Sequence, residues 1–176
     1  MNLPNKLTMA RIIAVPIFVA LYMLKIFIPA FIIFCLASIT DMLDGKIARS
    51  RGLVTNFGKI MDPLADKILV YSAFCLMVED GTIPAWMLII ILFREFAIAG
   101  MRTVAASEGT VVAAGMSGKA KTVCQMIAVV LLIIRSLNPM ISTAGYIFLY
   151  ASLVLTVYSG AEYIIKNKEV FLKGGI

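Results

Sequence analysis

Four aspartates at regular spacing are the residues of this chain whose arrangement predicts chemistry. Asp41 and Asp44 are three positions apart, and Asp62 and Asp66 are four apart, so each pair lies on one face of a helix. The polar, glycine-containing segment 50–58 between them predicts a turn, which would make the two helices antiparallel neighbours with facing acidic surfaces. Crowded carboxylates repel unless cations neutralise them, and oxygen-only ligands favour Mg²⁺, Mn²⁺ or Ca²⁺.

An ion-pair network is the simpler interpretation of the same acids. Nearby basic residues could neutralise them without any metal, and these are Lys46, Arg49, Lys59 and Lys67. The small residues Gly45, Ala48 and Gly58 share the acidic faces and leave space there for a bulky ligand. The spacing alone leaves both interpretations open.

The composition is that of an integral membrane protein. Of 176 residues, 61% are hydrophobic and 15% are charged, and the mean hydropathy is +0.98. A soluble domain has roughly 45–50% apolar and about 25% charged residues. Carboxylates are costly in such a chain and by default mark a functional site. The absence of histidine excludes the commonest general base and histidine-dependent zinc sites.

Six apolar stretches predict an all-α integral membrane protein with six transmembrane helices in a single domain, residues 1–176. The predicted spans cover residues 12–27, 30–49, 56–78, 85–106, 118–134 and 141–164. A short interfacial segment precedes the first span, and Lys6, Thr8 and Arg11 in it are expected to form a positively charged flank. Pro16 is expected near the start of the first helix, where proline costs little.

Basic residues predict the orientation in the membrane. The end of the bundle that carries the termini and the aspartates also carries most of the basic residues, whereas the opposite turns hold only Lys25 and Arg135. The positive-inside rule then places both termini and the aspartate site at the cytoplasmic face of the cell membrane. Topology and anionic lipid account for the formal net charge of +6, which gives no reason to expect a nucleic-acid partner.

The acidic segment resembles the signature of the CDP-alcohol phosphatidyltransferases. It matches position for position along Asp41-x2-Asp44-Gly45-x2-Ala48-Arg49-x8-Gly58-x3-Asp62-x3-Asp66, and eight fixed positions are far more specific than a short motif. The resemblance implies two divalent ions, Mg²⁺ or Mn²⁺, on Asp41, Asp44 and Asp62, with Asp66 as a further or shared ligand and as the general base. It also implies that the metals hold the pyrophosphate of a CDP-linked lipid, with lipid contacts from Gly45, Ala48, Arg49, Gly58 and, in the N-terminal segment, Thr8.

A second group of residues concerns the acceptor. Arg94, Arg102, Lys119 and Lys121 lie in the cytoplasmic halves of the fourth and fifth spans and predict a pocket for an anion, most plausibly phosphate. Alternatively, Arg94 pairs with Glu95 or a core aspartate, and the lysines only flank a span. Residues 93–102 (FREFAIAGMR) and 117–125 (SGKAKTVCQ) resemble the family members that use glycerol 3-phosphate. That resemblance implies transfer of a phosphatidyl group from CDP-diacylglycerol to glycerol 3-phosphate, which gives phosphatidylglycerol phosphate and CMP.

Other functions stay open. Within the family, the acceptor could be an inositol phosphate or phosphatidylglycerol. A divalent-cation transporter is a further candidate, but it predicts acids near mid-membrane and often internal repeats, whereas these acids cluster at one face and no repeat is evident. Small residues in the sixth span, among them Gly145, Ser152 and Gly160, predict close helix contacts. Together with the family resemblance they favour a homodimer.

Overall fold

The computed structural model describes residues 3–50, 56–107, 109 and 115–167, except for the side chains of residues 3, 4, 41–50, 56–60 and 63. Helices account for almost all of these residues. In chain order they are α1 (Leu3–Met23), α2 (Phe27–Ser50), α3 (Asn56–Glu79), α4 (Ala85–Ser107), α5 (Met116–Ile133) and α6 (Pro139–Lys166), with a short 3₁₀ helix at Arg135–Leu137. The predicted all-α fold is confirmed.

Three of the described helices have the length and composition of membrane spans. Residues Asn5–Met23 of α1, together with all of α5 and α6, are long and apolar enough to cross a membrane, and α2 contributes a shorter apolar stretch, Phe27–Thr40. Helices α3 and α4 are of similar length but carry several charged residues in the halves that face the predicted site. Charge within the bundle is therefore concentrated where the sequence places the chemistry.

Helix α1 differs from its prediction at the N-terminus. It begins at Leu3, so the predicted interfacial segment forms the first turns of one continuous helix. Pro16 consequently lies in the helix interior, not near the start, where it removes one backbone hydrogen bond. Arg11 is only 1% exposed, so the interpretation of this residue as a solvated flank is wrong.

The bundle consists of two groups of helices. Helix α1 packs against both α2 and α3, and we call these three helices the N-terminal half; α6 packs against both α5 and α4, and these form the C-terminal half. One apolar core joins the halves, with fully buried side chains that include Phe18, Phe34, Phe74, Ile91 and Leu132. Among the described residues, this core ends about one turn from the aspartates, at Ala37 on α2 and Leu69 on α3.

Small residues of α6 pack inside the chain. A Cβ atom added to Gly145 would lie 2.8 Å from Leu132 Cδ2, and one added to Gly160 would lie 3.1 Å from Arg94 Cγ. Ser152 and Ser159 are also buried. These residues let α6 approach α5 and α4 closely, so this part of the small-residue pattern is explained without a second copy of the chain, whereas Ala151 and Ala161 are exposed.

A polar network closes the end of the bundle opposite the aspartates. The Asp80 carboxylate accepts hydrogen bonds from Tyr22 Oη and Arg135 Nη2, both at 2.8 Å, and from the Thr82 backbone N–H at 2.9 Å. Arg135 also lies 5.6 Å from the Phe27 ring centroid. The network ties α1, the end of α3 and the turn after α5 together.

The charge state of Asp80 follows from these contacts. Burial raises the pKa of Asp80, but hydrogen bonds from Thr82 and Tyr22 and the charge of Arg135 outweigh it and hold the pKa below its ordinary value of 3.8. A carboxyl with a depressed folded-state pKa stabilises the fold above the unfolded pKa and loses that contribution as the pH falls through the folded pKa.

We expect Asp80→Asn to lower the melting temperature in detergent at pH 7. Loss of the ionic hydrogen bonds at this partly exposed site should cost about 1–2 kcal/mol, or a few degrees. The difference between wild type and variant should shrink as the pH falls from about 4 through the depressed folded-state pKa of Asp80, because the wild-type carboxyl protonates over that range. Thermal unfolding of wild type and variant at pH 7 and below about pH 4 measures this. Equal melting temperatures at pH 7 would contradict it.

Candidate active site

The predicted metal ligands lie on α2 and α3. Helix α3 is continuous from Asn56 to Glu79 and so holds Asp62 and Asp66 one turn apart. Helix α2 continues through Asp41 and Asp44 to Ser50. The side chains of Asp41 and Asp44 lie outside the described residues, and so do the surroundings of the predicted lipid contacts on these helices, which are Gly45, Ala48, Arg49 and Gly58. Convergence of all four carboxylates therefore stays a prediction.

Helix α1 lies against the acidic face of α3. Thr8 is fully buried, and its hydroxyl donates a hydrogen bond of 2.5 Å to Asp62 Oδ1. Arg11, one turn further along, interacts electrostatically with Asp66. The N-terminal segment thus belongs to the site: Thr8 orients one carboxylate, and a buried guanidinium offsets the charge of the other.

The chemistry of the donor set fits a hard divalent ion. Asp62 and Asp66 are half-buried carboxylates on one helix face, and the hydrogen bond from Thr8 engages only one oxygen of Asp62. In the described part of the chain no cluster of three or more potential ligands forms, so a complete site needs Asp41 and Asp44. Among the described residues Lys67 forms its ion pair with Glu95, and it also lies within electrostatic range of Asp66.

A cavity of about 630 Å³ brings together the four predicted acceptor cations. It lies among α4, α5 and α6, and its walls include Arg94, Arg102, Lys119 and Lys121. The shared face predicted for Arg94 and Arg102 is confirmed, since both line it. The cavity also reaches Lys166 and Asn167 at the end of α6 and Gly115 before α5, so it opens at the ends of the helices.

Two of these cations are held by one acid. The Glu95 carboxylate forms ion pairs with Lys121, which is 2% exposed, and with Arg94 at 3.5 Å. Arg94 also donates a hydrogen bond to Ser159 Oγ at 3.0 Å. The ion-pair interpretation is therefore correct for the Arg94–Glu95 contact, whereas Lys121 lies inside the bundle and does not merely flank a span.

The other two cations lie at the rim. The Arg102 guanidinium stands 5.5 Å from the centroid of the Tyr163 ring, a cation–π geometry that fixes its direction. Lys119 is exposed. Neither forms an ion pair with another described residue, so both are available to an anion that enters the cavity.

Several cavity residues were not predicted from the sequence. Ser159, Glu162 and Tyr163 of α6 line it, and Ser117 donates a hydrogen bond to Glu162 Oε2 at 2.6 Å. Glu162 could have been noticed as an acid near the end of an apolar span. Ser159 and Tyr163, four residues apart, carry no signal that separates them from ordinary helix-packing residues.

Comparison with known proteins agrees with the motif and the fold. The family model described as CDP-alcohol phosphatidyltransferase matches residues 1–158. A Bacillus subtilis (strain 168) protein named CDP-diacylglycerol–glycerol-3-phosphate 3-phosphatidyltransferase is 44% identical, with 96% of each chain covered. Proteins of the same name from Haemophilus influenzae and Rickettsia bellii are 39% and 36% identical, covering 93% and 97% of this chain and 91% and 97% of their own. The aspartate signature, the six-helix bundle and these full-length matches lead to one conclusion: this chain belongs to the CDP-alcohol phosphatidyltransferase family.

Proposed function

We propose that this protein transfers the phosphatidyl group of CDP-diacylglycerol to glycerol 3-phosphate, which gives phosphatidylglycerol phosphate and CMP. The observation that carries the acceptor assignment is the cavity lined by four cations, because a phosphate group gains charge-assisted hydrogen bonds there. The names of the relatives support the same reaction.

The position of the cavity favours a water-soluble acceptor. Its lining includes residues at the last turn of α6 and the first turn of α5, which are helix ends and not mid-membrane positions. Glycerol 3-phosphate can enter from water at such a place, whereas phosphatidylglycerol would have to reach it from the bilayer. An inositol phosphate, which is also anionic and soluble, is the second candidate, and the acceptor assay below separates the two.

The chain's residues divide the reaction between them. Asp66 lies within electrostatic range of Glu95 and Lys121, and both of these residues line the cavity. In the proposed step Asp66 accepts the proton of the acceptor's 1-hydroxyl while that oxygen forms a bond to the β-phosphorus of CDP-diacylglycerol. The bond from this phosphorus to the oxygen of CMP breaks, and CMP leaves with the electron pair.

Divalent ions complete the proposal. Asp41, Asp44 and Asp62 would hold two Mg²⁺ or Mn²⁺ ions, with Asp66 as a further or shared ligand. Bound there, the ions supply charge neutralisation of the pyrophosphate and of the departing CMP. Thr8 holds Asp62 in position through its hydroxyl.

Asp62→Asn should abolish CMP release while the protein stays folded, because an amide is a poor ligand for a hard cation. Chelation of divalent ions should inactivate the wild type, and added Mg²⁺ should restore it. Asp80→Asn is the matched control, since it removes an aspartate at the opposite end and should keep its activity. An Asp62→Asn enzyme that is active in chelating buffer would overturn the metal assignment.

The acceptor assay compares glycerol 3-phosphate, inositol phosphate, phosphatidylglycerol and free glycerol. Wild type should prefer glycerol 3-phosphate, and Arg102→Ala should raise the KM for it by roughly ten- to a hundredfold, because a charged hydrogen bond contributes about 1.5–3 kcal/mol. The KM for CDP-diacylglycerol should change far less. Lys119→Ala should act in the same direction.

If the Tyr163 ring directs Arg102, Tyr163→Leu should raise the KM for glycerol 3-phosphate. Tyr163→Phe keeps the ring and is the matched control. If Arg102→Ala raises only the KM for CDP-diacylglycerol, Arg102 belongs to the donor site. If wild type turns over inositol phosphate faster than glycerol 3-phosphate, the anion pocket is still supported but the acceptor is an inositol phosphate.

Orientation and assembly are also proposals. The excess of basic residues at the aspartate end supports a cytoplasmic active site and two cytoplasmic termini. Reporter fusions at Met1 and Ile176 test this, and a C-terminus on the outer side would refute it. The proposed homodimer rests mainly on the family resemblance, because Gly145 and Gly160 of α6 pack within the chain. A mass measurement in lipid nanodiscs that returns a single chain would contradict the homodimer proposal.

A further inference from the structure

The residues proposed for the two substrates lie in different halves of the bundle. Those proposed for the donor, including Thr8, Asp62 and Asp66, belong to α1, α2 and α3, whereas the cations of the acceptor cavity belong to α4 and α5. Transfer requires the acceptor oxygen to be aligned with the donor phosphorus, so the rate depends on how the two halves are placed relative to each other.

The apolar core that joins the halves, as far as the described side chains show it, lies mostly beyond the site end. The shared core includes α3 residues from Leu69 onward, α4 residues as far as Ile91 and α5 residues from Ala128 onward. Closer to the site, polar or charged residues become frequent on these helices, beside buried apolar residues such as Ala65 and Ile98. The polar and charged residues include Asp66, Lys67, Glu95, Lys121 and Gln125.

A single carboxylate spans this polar gap. Glu95 on α4 forms ion pairs with Lys67 on α3 and with Lys121 on α5. Lys67 follows the proposed base, Asp66, directly in the chain. Within the described residues, Lys67–Glu95 is the ion pair that joins the two halves at the site end.

We propose that Glu95 is a positioning residue that, through Lys67, holds the acceptor cavity in register with Asp66. This inference rests on the proposed function, because it assigns donor and acceptor to the two halves. The role differs from substrate binding: each half keeps its own contacts when the bridge is lost, but the two substrates are no longer aligned.

Lys67→Met provides the cleanest test. The lysine side chain is 38% exposed, so its loss leaves little buried charge unpaired, and the Glu95–Lys121 pair remains. We expect kcat to fall by roughly ten- to a hundredfold, as for a small misplacement of reacting groups. The KM for either substrate and the calorimetric affinity for glycerol 3-phosphate should change by less than about threefold. Lys67→Arg keeps the charge and should retain most of the activity.

A double-mutant cycle with Glu95→Gln tests the bridge itself. Glu95→Gln should lower kcat to a similar extent and should also raise the KM for glycerol 3-phosphate, because Lys121 and Arg94 lose their partner. The double variant should have a kcat no lower than that of the less active single variant, since both changes break the same contact. Asp80→Asn, which breaks the polar network at the other end, should lower the melting temperature and leave kcat unchanged.

Three outcomes would overturn the proposal. An unchanged kcat in Lys67→Met means that the pair does not align the halves. A raised KM for CDP-diacylglycerol with additive effects of the two changes means that Lys67 binds the donor directly. If Asp80→Asn lowers kcat as much as Lys67→Met does, general destabilisation of the bundle is sufficient to explain the loss. If wild type prefers another acceptor, the acceptor assignment fails, but the same cycle can be measured with that acceptor, so the two failures are distinguishable.

Discussion

A lysine buried in a membrane bundle needs a counter-charge, and Lys121 finds it in Glu95. Without the carboxylate, this ammonium group would be desolvated beside Arg94 and Lys67, which is strongly unfavourable. One acid serves three cations, so the cluster keeps a surplus of positive charge. That surplus lies in the wall of a cavity where an anionic acceptor could complete the neutralisation. The charge needed for folding and the charge proposed for binding are therefore parts of the same arrangement.

The stabilising contacts and the candidate site lie at different ends of the bundle. Aromatic and aliphatic side chains fill the part nearer the turn at Asp80, and the Tyr22–Asp80–Arg135 network closes that end. From Asp66 to Asp80 the helix rises about 21 Å, so the two polar clusters are well separated. The opposite end can hold the helices together while the site end contains charges and space, which by themselves contribute little to packing.

Much of the helical architecture could be predicted from sequence, because apolar length and turn residues determine where a membrane helix begins and ends. The predicted α4 differs from the observed helix by one residue at its C-terminus, and α3 does so too. The start of α1 could not be found in this way. Its polar first turns look like an interfacial flank by composition, yet Thr8 and Arg11 are buried against α3. Their partners lie more than fifty positions away, and only tertiary packing reveals them.

The candidate site shows the same limit. Periodicity correctly grouped Arg94 with Arg102, since residues on one helix share a face at fixed spacing. It could not show that Lys67 pairs with Glu95, because that depends on the rotation of α3 against α4. If the donor binds on the N-terminal half and the acceptor in the cavity, as proposed, their reaction takes place at the boundary between the two halves. The Lys67–Glu95 pair lies at this boundary, so the contact that sequence reasoning missed is the one that the proposed division of substrates makes necessary.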